Sequence, residues 1–203
     1  MFKQILYTKQ LDILRILEIF SKDFYLSWGT AIALQLGHRK SLDFDLFSKK
    51  PIQASKILKK LKSEWLRIDR TLVDNNADEL TLIVKGVKIT FLYYPFEVEL
   101  SKNFAWIKLP DIITLWAMKF YTLWRRWKWK DYVDIYQILK EGSDFWKISE
   151  LADKIFEWWY NEKLLREQLC YYEDIDYSEQ VEYMWESIKP DIIKEYLIEI
   201  SKQ

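Results

Sequence analysis

The residues with the clearest chemical potential are two aspartates set one residue apart in the apolar run Ser41-Leu42-Asp43-Phe44-Asp45-Leu46-Phe47. An extended backbone sends Asp43 and Asp45 to one face and Leu42, Phe44 and Leu46 to the other. Two carboxylates held that close repel and raise each other's pKa unless a cation lies between them, and hard oxygen donors suit Mg²⁺. The spacing therefore predicts a divalent-metal site at Asp43 and Asp45. The plainer alternative is a polar pair on the wet face of an edge strand. Just upstream, Trp28-Gly29-Thr30 opens a short helix whose backbone N–H groups, positive dipole end and threonine hydroxyl suit phosphate. Thr30 as a simple N-cap is the competing reading.

A second group lies downstream. Lys119 falls among Leu115, Trp116, Met118 and Phe120 on an apolar helical stretch, where a charge calls for a partner unless its stem lies along the core and its head reaches water. Asp131 and Asp134 are three apart and share one helical face, with Lys130 beside them. Either they serve the site, or Asp131 is a first-turn acid stabilised by the helix dipole with Asp134 its polar neighbour. Arg125 to Lys130 alternates cations with aromatics, which suits phosphate contact and base stacking, or equally a connector capped by packed tryptophans. His38, the one histidine, has no second histidine or cysteine nearby in sequence and is expected to make a structural hydrogen bond or an acceptor contact.

Both blocks have the order and spacing of a known pattern. Leu26-Ser27-Trp28-Gly29-Thr30-Ala31, followed by Gly37-His38-Arg39-Lys40-Ser41-Leu42-Asp43-Phe44-Asp45, resembles the turn and Asp-x-Asp strand of the nucleotidyltransferase superfamily, and within it the AbiEii/AbiGii-type toxins. Ala117-Met118-Lys119, Arg125-Arg126 and Lys130-Asp131-Tyr132-Val133-Asp134-Ile135-Tyr136 resemble that family's lysine, arginine and Lys-Asp-x-x-Asp-x-Tyr motifs. The resemblance covers roughly Phe24 to Leu139. It implies Mg²⁺ on Asp43 and Asp45, and nucleotide contacts from Gly29, Thr30, Arg39, Lys119 and Arg126. Asp131 or Asp134 would orient Lys119 or the acceptor. It also implies an NTP substrate, a hydroxyl acceptor such as tRNA or another RNA, and a cognate antitoxin protein in a toxin–antitoxin or phage-defence pair. Two positions depart from the pattern. Trp28 stands where a glycine is usual, and Thr90 stands where a third carboxylate is expected, with Glu97, Glu99 or Asp69 as substitutes that spacing does not choose between. These departures keep a catalytically degenerate binding module as the rival reading.

The elements that must position these residues follow from periodicity. A helix is expected over Leu11–Phe20, a strand at Tyr25-Leu26, a helix over Thr30–Leu36 ended by Gly37, a strand over Leu42–Phe47, and a helix from Pro51 to about Leu61. Strands are expected over Leu66–Val73, Leu80–Val84 and Val87–Tyr93, the last two joined through Lys85-Gly86. From Pro110 onward the pattern is helical: Asp111–Trp124, Asp131–Leu139, Ile148–Tyr160, Glu162–Tyr172, Glu179–Ile188 and Pro190–Ile200. The expected fold class is α+β, a nucleotidyltransferase-like mixed β-sheet with flanking helices over residues 1–107, then a helical domain over 108–203 that shares the active-site cleft.

Composition narrows the class without naming the chemistry. Half of the 203 residues are hydrophobic and Pro and Gly number four each, which excludes a disordered or low-complexity chain. Lys and Arg balance Asp and Glu at 31 each, so bulk charge does not mark a nucleic-acid binder. A single cysteine excludes an intramolecular disulfide and a cysteine zinc site. No stretch approaches a bilayer span, and a cytoplasmic protein with no membrane association is expected. Eleven tryptophans against four glycines is an odd ratio, and some of the tryptophans occupy glycine-like positions. One explanation is a gene that reads UGA as glycine; the other is an aromatic-rich core with a drifted turn.

Overall fold

The computed structural model of the protein describes residues 1–75, 77–123 and 128–203, the side chains of 120–123 excepted. Its centre is a five-stranded mixed sheet. The chain enters through α1 (Thr8–Leu11) and α2 (Arg15–Phe20), forms β1 (Tyr25–Ser27), turns directly into α3 (Trp28–Leu36), and returns as β2 (Asp43–Ser48). Helix α4 (Ala54–Ser63) leads to β3 (Ile68–Asn75), β4 (Glu79–Val84) and β5 (Val87–Tyr93). The strand order is β1-β2-β5-β4-β3. Only β2 and β5 are parallel, with Asp43 opposite Lys88 and Asp45 opposite Thr90; β1 runs antiparallel to β2, with Ser27 opposite Asp45.

Alternation along β2 separates its two faces as the pattern predicts. Phe44 and Leu46 are fully buried on one side, while Asp43 and Asp45 are partly open on the other. The buried face packs under α2, where Phe20 and Phe24 meet Phe91 of β5 edge-on at 4.8 and 5.2 Å. Leu42 departs from the expectation: it precedes the strand and is exposed.

The rest of the chain covers the acidic face. A short hairpin, β6 (Lys102–Phe104) and β7 (Ile107–Leu109), precedes α5 (Ile112–Leu123), α6 (Trp129–Lys140), α7 (Phe145–Phe156), α8 (Glu162–Cys170) and α9 (Pro190–Ser201). Helix α3 contacts both α5 and α6. One cluster of buried apolar side chains runs from Ile5 through Phe44 and Trp116 to Ile200, so the sheet and the helices share a core.

Several boundaries differ from expectation for identifiable reasons. The first helix is divided because Ile13 and Leu14 bond back three residues, to Gln10 and Leu11, and this tighter winding turns Ile13 inward with Ile16 and Leu17. Helix α4 starts at Ala54 rather than Pro51 because the Ile52 N–H donates to the Ala77 carbonyl at 2.9 Å. The strand expected from Leu66 begins at Ile68, since the Leu66 N–H closes the end of α4 on Leu61 at 3.1 Å. Helix α7 begins at Phe145, where the Asp144 carboxylate accepts the Trp146 N–H, and ends before Glu157, whose φ is +50°. Residues 179–188 are not helical. Instead Lys40 N–H donates to the Glu182 carbonyl at 2.8 Å and Met184 N–H to the His38 carbonyl at 3.0 Å, pulling the segment out alongside the residues that precede β2. Among the described residues no helix is long and apolar enough to cross a membrane.

Candidate active site

β1 hands the chain to α3 without a loop, so the N-terminus of the helix arrives beside the neighbouring strand β2. Trp28, Gly29, Ser41, Asp43, Asp45, Lys119, Lys130 and Asp131 line one small pocket there, with about 30 Å³ of space. Asp43 and Asp45 enter it from β2, and the positive end of the α3 dipole enters through Trp28 and Gly29. Both blocks of sequence that carry chemistry thus meet in space.

Helices α5 and α6 supply the opposite wall through a buried ionic cluster. Lys119, 3% exposed, donates to the Asp131 carboxylate and to Asp134 Oδ2 at 3.1 Å. Asp134, with no exposure, also takes both arms of Arg39, Nε to Oδ1 at 2.7 Å and Nη2 to Oδ2 at 2.8 Å, and His38 Nε2 at 2.8 Å. Burial alone would raise the Asp134 pKa; the Arg39 and Lys119 charges outweigh it and hold the carboxyl well below its usual range. Burial opposes the Lys119 ammonium, but Asp131 and Asp134 prevail and its pKa is raised. Burial lowers His38 despite Asp134, so the neutral ring donates its Nε2 proton to the carboxylate.

The expected roles divide accordingly. Asp131 faces the pocket, whereas Asp134 lies behind it and ties α6 to Arg39. Arg39, expected as a nucleotide contact, is 4% exposed; its Nε and Nη2 donate to Asp134 and its Nη1 to the Lys40 carbonyl at 2.9 Å. Thr30 is likewise turned inward. Its hydroxyl donates to the Asp43 carbonyl and meets Ser41 Oγ at 2.7 Å, so it is neither an N-cap nor open to phosphate; it binds α3 to β2. Gly29 lines the pocket, but what demands a glycine there is Arg39: a Cβ would sit 2.9 Å from its Nη2. His38 makes the structural hydrogen bond foreseen for it. Arg126, with Arg125 and Trp127, lies outside the described residues. Trp129 is buried and stacked between Tyr132 and Tyr177, which favours the packed connector over a base-stacking surface.

At the metal position the donor set is two carboxylates. The register puts Thr90 directly beside Asp45, and its hydroxyl accepts from Thr81 Oγ1 at 3.4 Å. The suggested substitutes do not reach it: Glu97 is exposed and pairs with Lys49, and Asp69 belongs to the far strand β3, where it accepts the Gly86 N–H. Glu99 lies beyond the end of β5 in the stretch before β6. Among the described residues no group of three or more His, Cys, Asp or Glu is placed to hold a metal. Two carboxylates lining a small pocket still fit a single Mg²⁺, which commonly takes one or two carboxylates and completes its shell with water and phosphate oxygens.

Two cations were not expected to face the pocket or its carboxylates, Lys88 and the motif lysine Lys130. Lys88 reaches Asp43 Oδ2 at 3.0 Å from the paired strand, and alternation with Thr90 was the available signal. Lys130 lines the pocket and pairs with Glu179; burial, and then the Arg39 charge, push its pKa down to about 8. Trp28 has φ +51° at the position where the resembled pattern has glycine, a conformation that glycine adopts without strain. Trp65 repeats this at the end of α4, with φ +57° and 92% exposure.

No family model matches the sequence. An uncharacterized protein of Aquifex aeolicus, aq_aa25, is 27% identical over 191 residues, covering 86% of this chain and 88% of that one. Among solved structures, the nucleotidyltransferase toxin MenT4 of Mycobacterium tuberculosis H37Rv aligns with a TM-score of 0.60 at 12% identity, over 94% of this chain and 80% of its own. JHP933 of Helicobacter pylori aligns with a TM-score of 0.56 at 14% identity, over 97% and 92%. At that identity the likeness speaks to architecture, and the α+β fold of this protein is nucleotidyltransferase-like.

Proposed function

We propose that the protein is a Mg²⁺-dependent nucleotidyltransferase that moves a nucleoside monophosphate from an NTP to a hydroxyl of an RNA acceptor such as tRNA. The observation that carries this reading is the convergence of Asp43 and Asp45 with the Lys119–Asp131 pair in one pocket at the N-terminus of α3. In the reaction the acceptor oxygen attacks the α-phosphorus, the bond from that phosphorus to the bridging β-phosphate oxygen breaks, pyrophosphate leaves, and the hydroxyl's proton passes to water. Bound Mg²⁺ would neutralise charge on the phosphates and lower the acceptor's pKa. Asp43 and Asp45 would hold it. The backbone at Gly29 and the α3 dipole would face the phosphates, Lys119 would offset their charge, and Asp131 would orient Lys119 and the acceptor hydroxyl. The structural likeness to MenT4, a nucleotidyltransferase toxin, supports a toxin role; the sequence resemblance to the AbiEii/AbiGii-type toxins extends the proposal to a toxin–antitoxin or phage-defence pair, with a cognate antitoxin protein in the cytoplasm.

Thr90 beside Asp45 favours a second reading, a degenerate module that binds nucleotide, RNA or a protein partner without turnover. The two part on one assay: purified protein with each α-labelled NTP, Mg²⁺ and total tRNA, beside the Asp43→Ala/Asp45→Ala variant. Label transfer that vanishes in the variant establishes the enzyme. Mg²⁺-dependent NTP binding without transfer establishes the module.

A further inference from the structure

The pocket has about 30 Å³ of space, well below the roughly 300–1,000 Å³ of sites that enclose a small ligand, and displacing a lining group would enlarge it. Asp43 and Asp45 are fixed in a central strand, Gly29 is packed on Arg39, Trp28 packs edge-on against Phe47 at 4.6 Å, Ser41 meets Thr30 Oγ1 at 2.7 Å, and Lys119 is held by Asp131 and Asp134. Lys130 is held differently. Its ammonium pairs with Glu179, and the same carboxylate also pairs with Lys128 one turn-edge away.

Glu179 belongs to a non-helical stretch fastened on both sides of it. Upstream, the Asp176 carbonyl accepts the Trp129 N–H at 3.1 Å; downstream, the Glu182 carbonyl accepts the Lys40 N–H at 2.8 Å. The carboxylate itself is about one-third exposed, and ion pairs open to water are weakly held. Of the two lysines, Lys130 lines the pocket, and a triphosphate offers it several negative charges in place of one, and more acceptor oxygens.

We propose that Lys130 binds the phosphates of the incoming nucleotide, and that Glu179 occupies its ammonium until the phosphates displace the carboxylate and open the pocket. This rests on the nucleotidyl-transfer reading.

Inorganic tripolyphosphate with Mg²⁺, titrated calorimetrically, tests it on the full-length protein. Glu179→Gln should bind about tenfold tighter than wild type, equivalent to about 1.4 kcal/mol. Lys130→Met should bind about tenfold weaker, and Lys130→Arg, which keeps the charge, should return to within a few-fold. In the Lys130→Met background Glu179→Gln should change nothing. Unaltered affinity in Glu179→Gln, a gain that survives in the double variant, or no binding by any form overturns the proposal. Label transfer from NTP is read separately. The expected binding pattern without transfer keeps the Lys130–Glu179 exchange and removes the enzyme. Transfer with Glu179→Gln indistinguishable from wild type does the reverse.

Discussion

Replacing Asp134 by alanine should be among the most damaging single changes in this protein, although the residue does not line the pocket. Its two oxygens accept from Arg39, His38 and Lys119 at 2.7 to 3.1 Å, and every partner is at most 5% exposed. The substitution takes the bidentate carboxylate from the buried Arg39 guanidinium and one of its carboxylates from Lys119. Breaking a buried ion pair by removing one member costs about 3–5 kcal/mol, and in a domain of this length each kcal/mol moves Tm by roughly 2–4 °C. Asp134→Ala should therefore lower Tm by about 6–20 °C, and lower the urea midpoint at unchanged slope. The double variant Arg39→Met/Asp134→Leu removes one charge of each sign, leaves Lys119 paired with Asp131, and should recover most of that loss, because isosteric apolar replacement of a buried ion pair is often neutral. A loss below about 1 kcal/mol for Asp134→Ala, or a double variant no better than the single, would refute the view that this cluster joins α6 to the segment before β2.

The same cluster fixes the pH response. Asp134 titrates well below the ordinary carboxylate range when folded, so its stabilisation is fully present above the unfolded value near 4 and is lost as pH falls below it. Lys119 is raised, so its share is present below about 10.4 and is lost as pH climbs beyond. Denaturation midpoints across pH should show a plateau bounded by these limits, with the acid limb shallower in Asp134→Asn. Gly29→Ala should cost about 1–3 kcal/mol, since its Cβ would meet an Arg39 nitrogen that Asp134 holds in place; a wild-type urea midpoint would contradict that packing. Trp65→Gly should stabilise by about 1 kcal/mol, because an exposed tryptophan in the left-handed region gives up no packing and relieves backbone strain. Mass spectrometry of the protein from its natural source tests whether positions 28 and 65 are glycine in the cell, as UGA read as glycine requires; tryptophan at both ends that explanation.

Sequence alone determined the local alternation that sends Asp43 and Asp45 to one face, the left-handed Gly37 that ends α3, and the Lys85-Gly86 turn between β4 and β5. These depend on side-chain period and glycine's conformational freedom, which act over a few residues. It also brought the Asp-x-Asp strand and the Lys119/Asp131 helices into one reading through the resemblance. What it could not assign was which polar residues face the pocket and which face one another. Arg39 and Thr30 carry the right groups for phosphate, yet Arg39 is spent on Asp134, 95 residues away in the chain, and Thr30 on the strand beside it. Residues 179–188 have a helical composition, but their backbone groups find better-placed partners in the 38–40 segment, and a buried or paired carbonyl outweighs propensity. Lys88 and Glu179 entered the site for the same reason. Charges distant in the chain choose partners only when packing has removed water and fixed their separation, and that choice belongs to the tertiary structure.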